Sequence, residues 1–279
     1  MFRSVFSRTL AKAVITAGAA IGAFTMAPAA SAQGDLLIAP TRLVLDGRQG
    51  GEVILSNVGT EEATYRVTLE LRRMGPDGSL EPVVEGDENA VEVASLDMVR
   101  YAPRRVVLPP GQPQAIRISA RPGADLPDGE YRVHMSFNAI PKPQEVTEEV
   151  TDSSGISINL TPIYGITMPI IVRKGQLQVT GSLANPRLTQ VQGQPAFAVD
   201  IGRIGTSSLY GDLVVTKPGV SDPVFVARGL GVYPEIGMRE SLFGIPAEIA
   251  DAMRGPVRIE FREAPENGGA TLMAMDAVL

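Results

Sequence analysis

The chain has 279 residues, with one histidine, no cysteine and no tryptophan, and its 31 acidic against 25 basic side chains give a formal charge of −6. That acidic balance offers no basic patch for phosphate contacts, which excludes a nucleic-acid partner. Missing cysteines exclude disulfide stapling and a thiol nucleophile, so buried apolar area must hold the fold.

Residues 1–32 place Arg3, Arg8 and Lys12 before an apolar run that closes on Ala30-Ser31-Ala32, the layout of a cleaved secretory signal. Removing them leaves 247 residues and takes away three cations and no acids, moving the formal charge from −6 to −9. No later segment has the length of a membrane span, so the mature chain is expected to be soluble beyond a membrane. Its length suits two domains of about 100 residues each.

From residue 36 onward, short runs of strand-forming residues alternate with turn chemistry. "LLIAPTRLVLDG", "GEVILSNVG", "ATYRVTLELRRMGPDGSL", "RRVVLPPGQPQAIRISARP" and "GEYRVHMSFNAIP" recur at the spacing of an antiparallel sandwich. Pro76-Asp77-Gly78 and Pro109-Pro110-Gly111 supply preset turns. "KPQEVTEEVTDSSG" reads as an exposed acidic loop, and "ISINLTPIYGITMPIIVR" as one long strand ending at a hinge, Arg173-Lys174-Gly175. Beyond it, "QLQVTGSLA", "QPAFAVDIGRIG", "YGDLVVTKPG", "DPVFVARGLGVYP" and "GPVRIEFREAP" form a second strand series, with a single helical turn allowed at "IPAEIADAMRG". Both halves are therefore predicted to be all-β, with little helical periodicity anywhere.

His134 is the one side chain that invites a catalytic reading. In "EYRVHMSFNAI", Tyr131, Val133, Met135, Phe137 and Ala139 alternate with Arg132, His134, Ser136 and Asn138, so period two predicts an outward His134 on a polar strand face. A lone histidine fills at most one role of a catalytic or metal constellation, and no phosphate-binding glycine loop or nucleophile elbow accompanies it. Glu235 with Glu240, and Glu260 with Glu263, read as surface charge rather than as acid/base pairs. No enzyme activity, metal or cofactor is expected.

The strand after the acidic loop is more informative. Every even position from Ile156 to Val172 is apolar, including Ile158, Leu160 and Tyr164, a run far longer than the usual strand of about 5–6 residues. Pattern alone leaves two readings: a core or edge strand that runs into a linker, or a strand that lends its side chains to another protein.

"PTRLVLDG", "VILSNVGTEEATYRV", "LPPGQPQAIRI" and "GEYRVHMSFNAIP", followed by a polar loop and a long alternating strand, resemble in order and spacing a PapD-like periplasmic pilus-assembly chaperone. The resemblance runs from Leu36 through Arg173 and more loosely beyond. It implies two immunoglobulin-like sandwiches in an L or boomerang, a signal at 1–32, and domains at 33–173 and 174–279. It also implies a periplasmic chaperone for pilin-like or other surface subunits, working with an outer-membrane usher by donor-strand complementation. Ile156, Ile158, Leu160 and Tyr164 would enter the subunit. Arg42 matches the family arginine that anchors a subunit's terminal carboxylate, a ligand suited to a planar bidentate donor. Glu130 and Arg173 match the pair that ties the two domains. The family's second anchor, a lysine, is replaced by Pro169, for which Arg132, His134 or Lys174 are candidate substitutes. Pro162 interrupts the donor strand. The segment Arg203 to Asp212, "RIGTSSLYGD", stands where the family has a more generic strand-turn-strand, and its richness in Gly and Ser has no explanation from pattern. The competing function is a secreted Ig-like structural or adhesive module that binds through its loops.

Overall fold

The computed structural model describes residues 36–142, 164–265 and 268–279; the signal segment 1–32 lies outside them. The described residues form eighteen strands and two helices. The first series comprises β1 (Leu36–Ala39), β2 (Leu43–Leu45), β3 (Gly51–Asn57), β4 (Ala63–Glu70), β5 (Arg72–Met74), β6 (Leu80–Pro82), α1 (Ala90–Met98), β7 (Val99–Ala102), β8 (Arg105–Leu108), β9 (Pro113–Ala120), β10 (Gly129–Ile140) and β11 (Gly165–Lys174). The second comprises β12 (Val179–Val191), β13 (Gln194–Gly205), β14 (Leu209–Thr216), β15 (Phe225–Val232), β16 (Met238–Gly244), α2 (Ala247–Met253), β17 (Pro256–Arg262) and β18 (Thr271–Val278). Among the described residues no helix is long and apolar enough to cross a membrane.

The architecture is two β-sandwiches. In the first, a sheet ordered β1-β3-β9-β7 faces one ordered β2-β11-β10-β4-β8. Period two decides which side chains meet between them. Val53 and Leu55 of β3 and Ile116 and Ile118 of β9 pack against Tyr65 and Val67 of β4, Val133, Met135 and Phe137 of β10, and Met168, Ile170 and Val172 of β11. Each large apolar side chain buried this way contributes about 1.5–3 kcal/mol. In the second, β12-β13-β16 faces β15-β14-β17-β18. Phe197, Val199, Ile201, Leu213, Val215, Ile259 and Phe261 form that core. Phe225 meets Phe197 edge to face at 5.6 Å, extending the core's aromatic side.

Both sandwiches lie within one compact unit, Gln33–Leu279. A small separate core joins them: Met74 at the end of β5, Ile171 of β11 and Tyr233 after β15, flanked by Leu80 and Ile236. The β5–β6 hairpin turns at Pro76-Asp77-Gly78, as its sequence predicts, and the Glu240 amide of β16 donates to the Pro76 carbonyl at 2.7 Å. The chain leaves β11 at Gly175 with φ +77°, a left-handed conformation that favours glycine.

Two sequence expectations need correction. Helix α1 was not anticipated, although the predicted turn at "IPAEIADAMRG" is α2. A capping box starts α1: the Asn89 side chain accepts from the Glu92 amide at 3.0 Å, and the Glu92 carboxylate accepts from the Asn89 amide at 2.8 Å. Nor is His134 outward and solvated; it is 1% exposed. Its parity is as read, on the opposite face from Val133 and Met135. That face, however, is roofed by α1, which packs against β10. A cavity of about 450 Å³ beneath the helix is lined by Asn89, Glu92, Ser95, Glu130, Arg132 and Glu235, among others.

Candidate functional site

The site begins at the free edge of β11. β10 pairs with β11 along its length, from Asn138 opposite Gly165 to Gly129 opposite Lys174. On the other side β2 pairs in parallel with Ile170, Ile171 and Val172 only. On that side Gly165 to Pro169 therefore has no strand beside it among the described residues. The Ala139 amide donates to the Tyr164 carbonyl at 3.0 Å, which sets the alternation: even residues of β11 exchange hydrogen bonds with β10, and Gly165, Thr167 and Pro169 turn their backbone groups outward. Proline at an outward position on an edge removes no bond from the ladder.

The predicted donor strand is thus described only at its C-terminal end. Met168, Ile170 and Val172 occupy the even positions and are buried. Ile166 is 41% exposed and Tyr164, just before the strand, 54%. Ile156, Ile158, Leu160 and Pro162 lie outside the described residues.

At the other end of β11 stand Glu130 and Arg173, directly opposite each other on neighbouring strands. Arg173 Nε donates to Glu130 Oε2 at 3.2 Å; the Glu130 side chain is fully buried and that of Arg173 is 39% exposed. Both belong to the first sandwich, so their pairing does not itself cross between sandwiches. Ser208, just before β14, supplies the crossing. Its amide donates to Glu130 Oε2 at 3.1 Å and its hydroxyl at 2.9 Å, while the same hydroxyl accepts from Arg42 Nη2 at 3.1 Å. Glu130 Oε1 is buried with no partner among the described residues.

Arg42 lies between β1 and β2 and reaches the second sandwich. Its guanidinium carbon sits 4.2 Å from the ring centre of Tyr210 and 6.0 Å from that of Tyr233. Burial pulls its pKa below the usual guanidinium value, against the opposing pull of Tyr233 and Glu130. Nη1 is buried and lacks a partner among the described residues. The predicted anchor is therefore partly engaged within the chain and keeps one unused donor.

None of the three proposed substitutes for the absent lysine is a free cation. Arg132 lies 3.7 Å over the Tyr233 ring, donates to Glu235 through both terminal nitrogens and to the Arg72 carbonyl at 2.8 Å. Lys174 donates to the carbonyls of Gly123, Ala124 and Leu126, fastening the loop before β10. His134 is neutral: burial first, then the charges of Arg132 and Arg72, push its imidazole down to about 3. Glu235, read as surface charge, also accepts from the Met74 amide at 2.8 Å and so ties β5 to the second sandwich. Glu260 likewise is buried, between Arg258 and Arg262.

The unexplained segment Arg203 to Asp212 is the second sandwich's face toward this cleft. Arg203 is buried and donates to the carbonyls of Gly205, Ser207, Pro234 and Ile236, which fixes the turn that presents Ser208 and Tyr210. Gly205 adopts φ +132°, where a Cβ would stand 2.2 Å from the Gln178 carbonyl oxygen. The turn therefore needs glycine at 205, and a hydroxyl at 208 for its bonds to Glu130 and Arg42. Sequence reading missed Ser208 because a hydroxyl in a turn leaves no periodic signal.

No protein-family model matches the chain, and no curated protein matches it. Solved structures do. The chain is similar to the E. coli chaperone DraB at 15% identity and a TM-score of 0.43, over 88% of this chain and 99% of that one. It is similar to a chain of the Salmonella enterica SafA pilin in complex with the SafB chaperone at 16% identity and 0.45, over 88% and 97%. The Pseudomonas aeruginosa CupB2 chaperone matches at 14% identity and 0.44, over 87% and 100%.

Proposed function

We propose that this protein is an exported, non-enzymatic assembly chaperone for pilin-like subunits, built of domains at 33–173 and 174–279 and acting in the periplasm. The observation that carries the reading is the open edge of β11 from Gly165 to Pro169, which continues toward a stretch of alternating apolar residues. A subunit that lacks one strand would pair with the outward groups of Gly165 and Thr167 and take the even-numbered side chains, Tyr164 and then Leu160, Ile158 and Ile156, into its groove. Main-chain bonds supply affinity, and the alternating side chains set register. Arg42 is the proposed anchor for the subunit's terminal carboxylate, with Glu130 and Arg173 holding the cleft around it.

Thr167→Pro tests this directly. The substitution deletes an outward donor without touching the β10 ladder, in a strand that already tolerates Pro169 two positions on. Coexpressed with a pilin-like subunit, the wild-type chain is expected to yield a soluble one-to-one complex, and Thr167→Pro or Ile158→Asp an aggregated or degraded subunit. Equal recovery with all three would leave β11 as the spine of the first sandwich, and would favour an adhesive module that binds through its loops.

A further inference from the structure

Arg42 is held from three sides. Nη2 donates to the Ser208 hydroxyl at 3.1 Å, the Tyr210 ring centre lies 4.2 Å from the guanidinium carbon, and Nη1 is buried without a partner among the described residues. An end-on grip by a carboxylate takes Nη1 and Nη2 together, as two parallel N–H···O bonds. One of those nitrogens is occupied and the other covered, so the guanidinium that would anchor a client is shut. Ser208 and Tyr210 belong to the turn that Arg203 pins through four backbone carbonyls of the second sandwich. Arg42 comes from the connection between β1 and β2, so one sandwich shuts the other.

The shut arrangement leaves a charged group half satisfied. A buried donor without an acceptor is costly, and Ser208 offers Arg42 a single bond from a neutral oxygen. A carboxylate offers two bonds from charged oxygens, which are shorter and stronger. A neutral carbonyl offers no more than Ser208 does. The Ser208 hydroxyl can turn away from Arg42 without releasing Glu130, because its amide keeps a bond of 3.1 Å to the same carboxylate oxygen.

We infer that Ser208 and Tyr210 form a gate on Arg42, which yields to the ionised carboxylate at the end of a client strand and stays shut against a neutral end. The gate rests on the strand-addition reading, with Arg42 as its anchor, and adds to it a step of release. Apparent affinity is reduced to the fraction of chains in which the gate is open. Removing a gate therefore tightens the hold on a carboxylate, whereas removing a residue that only orients Arg42 loosens it.

The test uses two synthetic strand peptides of roughly eight residues with the same apolar alternation, one ending in a free carboxylate and one in an amide. Binding to the full mature chain is measured by calorimetry, and NMR shifts of the Gly165 and Thr167 amides report strand addition in the same samples. Wild type is expected to bind the acid peptide more tightly than the amide, and Arg42→Ala to bind the two alike. Ser208→Ala should bind the acid peptide roughly two- to tenfold more tightly than wild type, the worth of one net hydrogen bond, with the amide peptide unchanged. Tyr210→Ala should move the same way. It leaves Glu130 both bonds from Ser208, so the gain does not hang on a variant that weakens the cleft. Weaker or unchanged binding of the acid peptide by both variants, with edge shifts intact, overturns the gate. Equal affinity of wild type and both variants for the two peptides, again with edge shifts, overturns gate and anchor together while leaving strand addition standing. No shift at Gly165 and Thr167 with either peptide overturns all three.

Discussion

Ser208 is the smallest residue in the cleft and the one that makes it a single network. Its hydroxyl lies between Glu130 and Arg42, and its amide adds a second bond to the same carboxylate oxygen. Because two bonds from Ser208 remain when Arg173 is removed, and because Arg173 is more than a third exposed, Arg173→Ala is expected to cost about 1–2 kcal/mol. That is less than the ~3–5 kcal/mol typical of orphaning one partner of a fully buried ion pair. Ser208→Ala should cost a similar amount, about 1–3 kcal/mol, by leaving a buried carboxylate short of a donor. The double variant should lose more than the sum, since each residue is the other's remaining support. Urea unfolding of the four proteins measures the coupling, and strict additivity would mean that Ser208 and Arg173 do not share Glu130 in solution. His134 makes a separate prediction. Its folded pKa, near 3, lies below the unfolded value of about 6.5. The unfolded chain therefore binds the extra proton across that window, and stability is complete above pH 6.5 and falls on acidification by about 1.4 kcal/mol per pH unit. His134→Phe should flatten urea midpoints between pH 7 and pH 5; an unchanged slope would place the acid sensitivity elsewhere.

At the level of elements, α1 shows why reading by period succeeded for the strands and failed here. "AVEVA" sets one charged residue, Glu92, among four apolar ones and so shows no helical period, and its Val91 and Val93 remain exposed on the finished helix. The legible signal was the spacing of Asn89 and Glu92, which closes a capping box and stops the chain from extending. Asn89→Ala is expected to lower helix stability by about 1 kcal/mol. In hydrogen exchange, the α1 amides should speed up while those of β10 stay protected; uniform change in both would mean that roof and sheet open together. Most strands of the first sandwich were readable because their inward residues alternate, whereas in the second β16 and β18 were not named and register shifts break the pairing of β12, β14 and β17. The burial of His134 was not readable, because parity names a face and cannot say what covers it. Glu130 and Arg173 could be found through a family resemblance, whereas the residues completing their network come from a turn whose backbone, pinned by Arg203, carries no pattern.

Across the whole molecule, Tyr233 stands between Arg42 and Arg132 and packs on Met74 and Ile171. With the Glu130–Ser208 and Pro76–Glu240 bonds, it links the unfolding of one sandwich to that of the other. Wild-type protein should therefore melt in one calorimetric transition, and Tyr233→Ala in two, with the second sandwich's own core largely unaffected. A single transition in the variant would show that the remaining bonds suffice. The β11 edge has a directional consequence. A strand added from Gly165 finds a donor at Thr167, none at Pro169, and then β2 already in place at Ile170. Pairing is blocked toward the cleft, so the edge carries an end-stop. Whatever strand is laid on Gly165 to Pro169 runs out of partners before it reaches the second sandwich, and its register is counted from that stop.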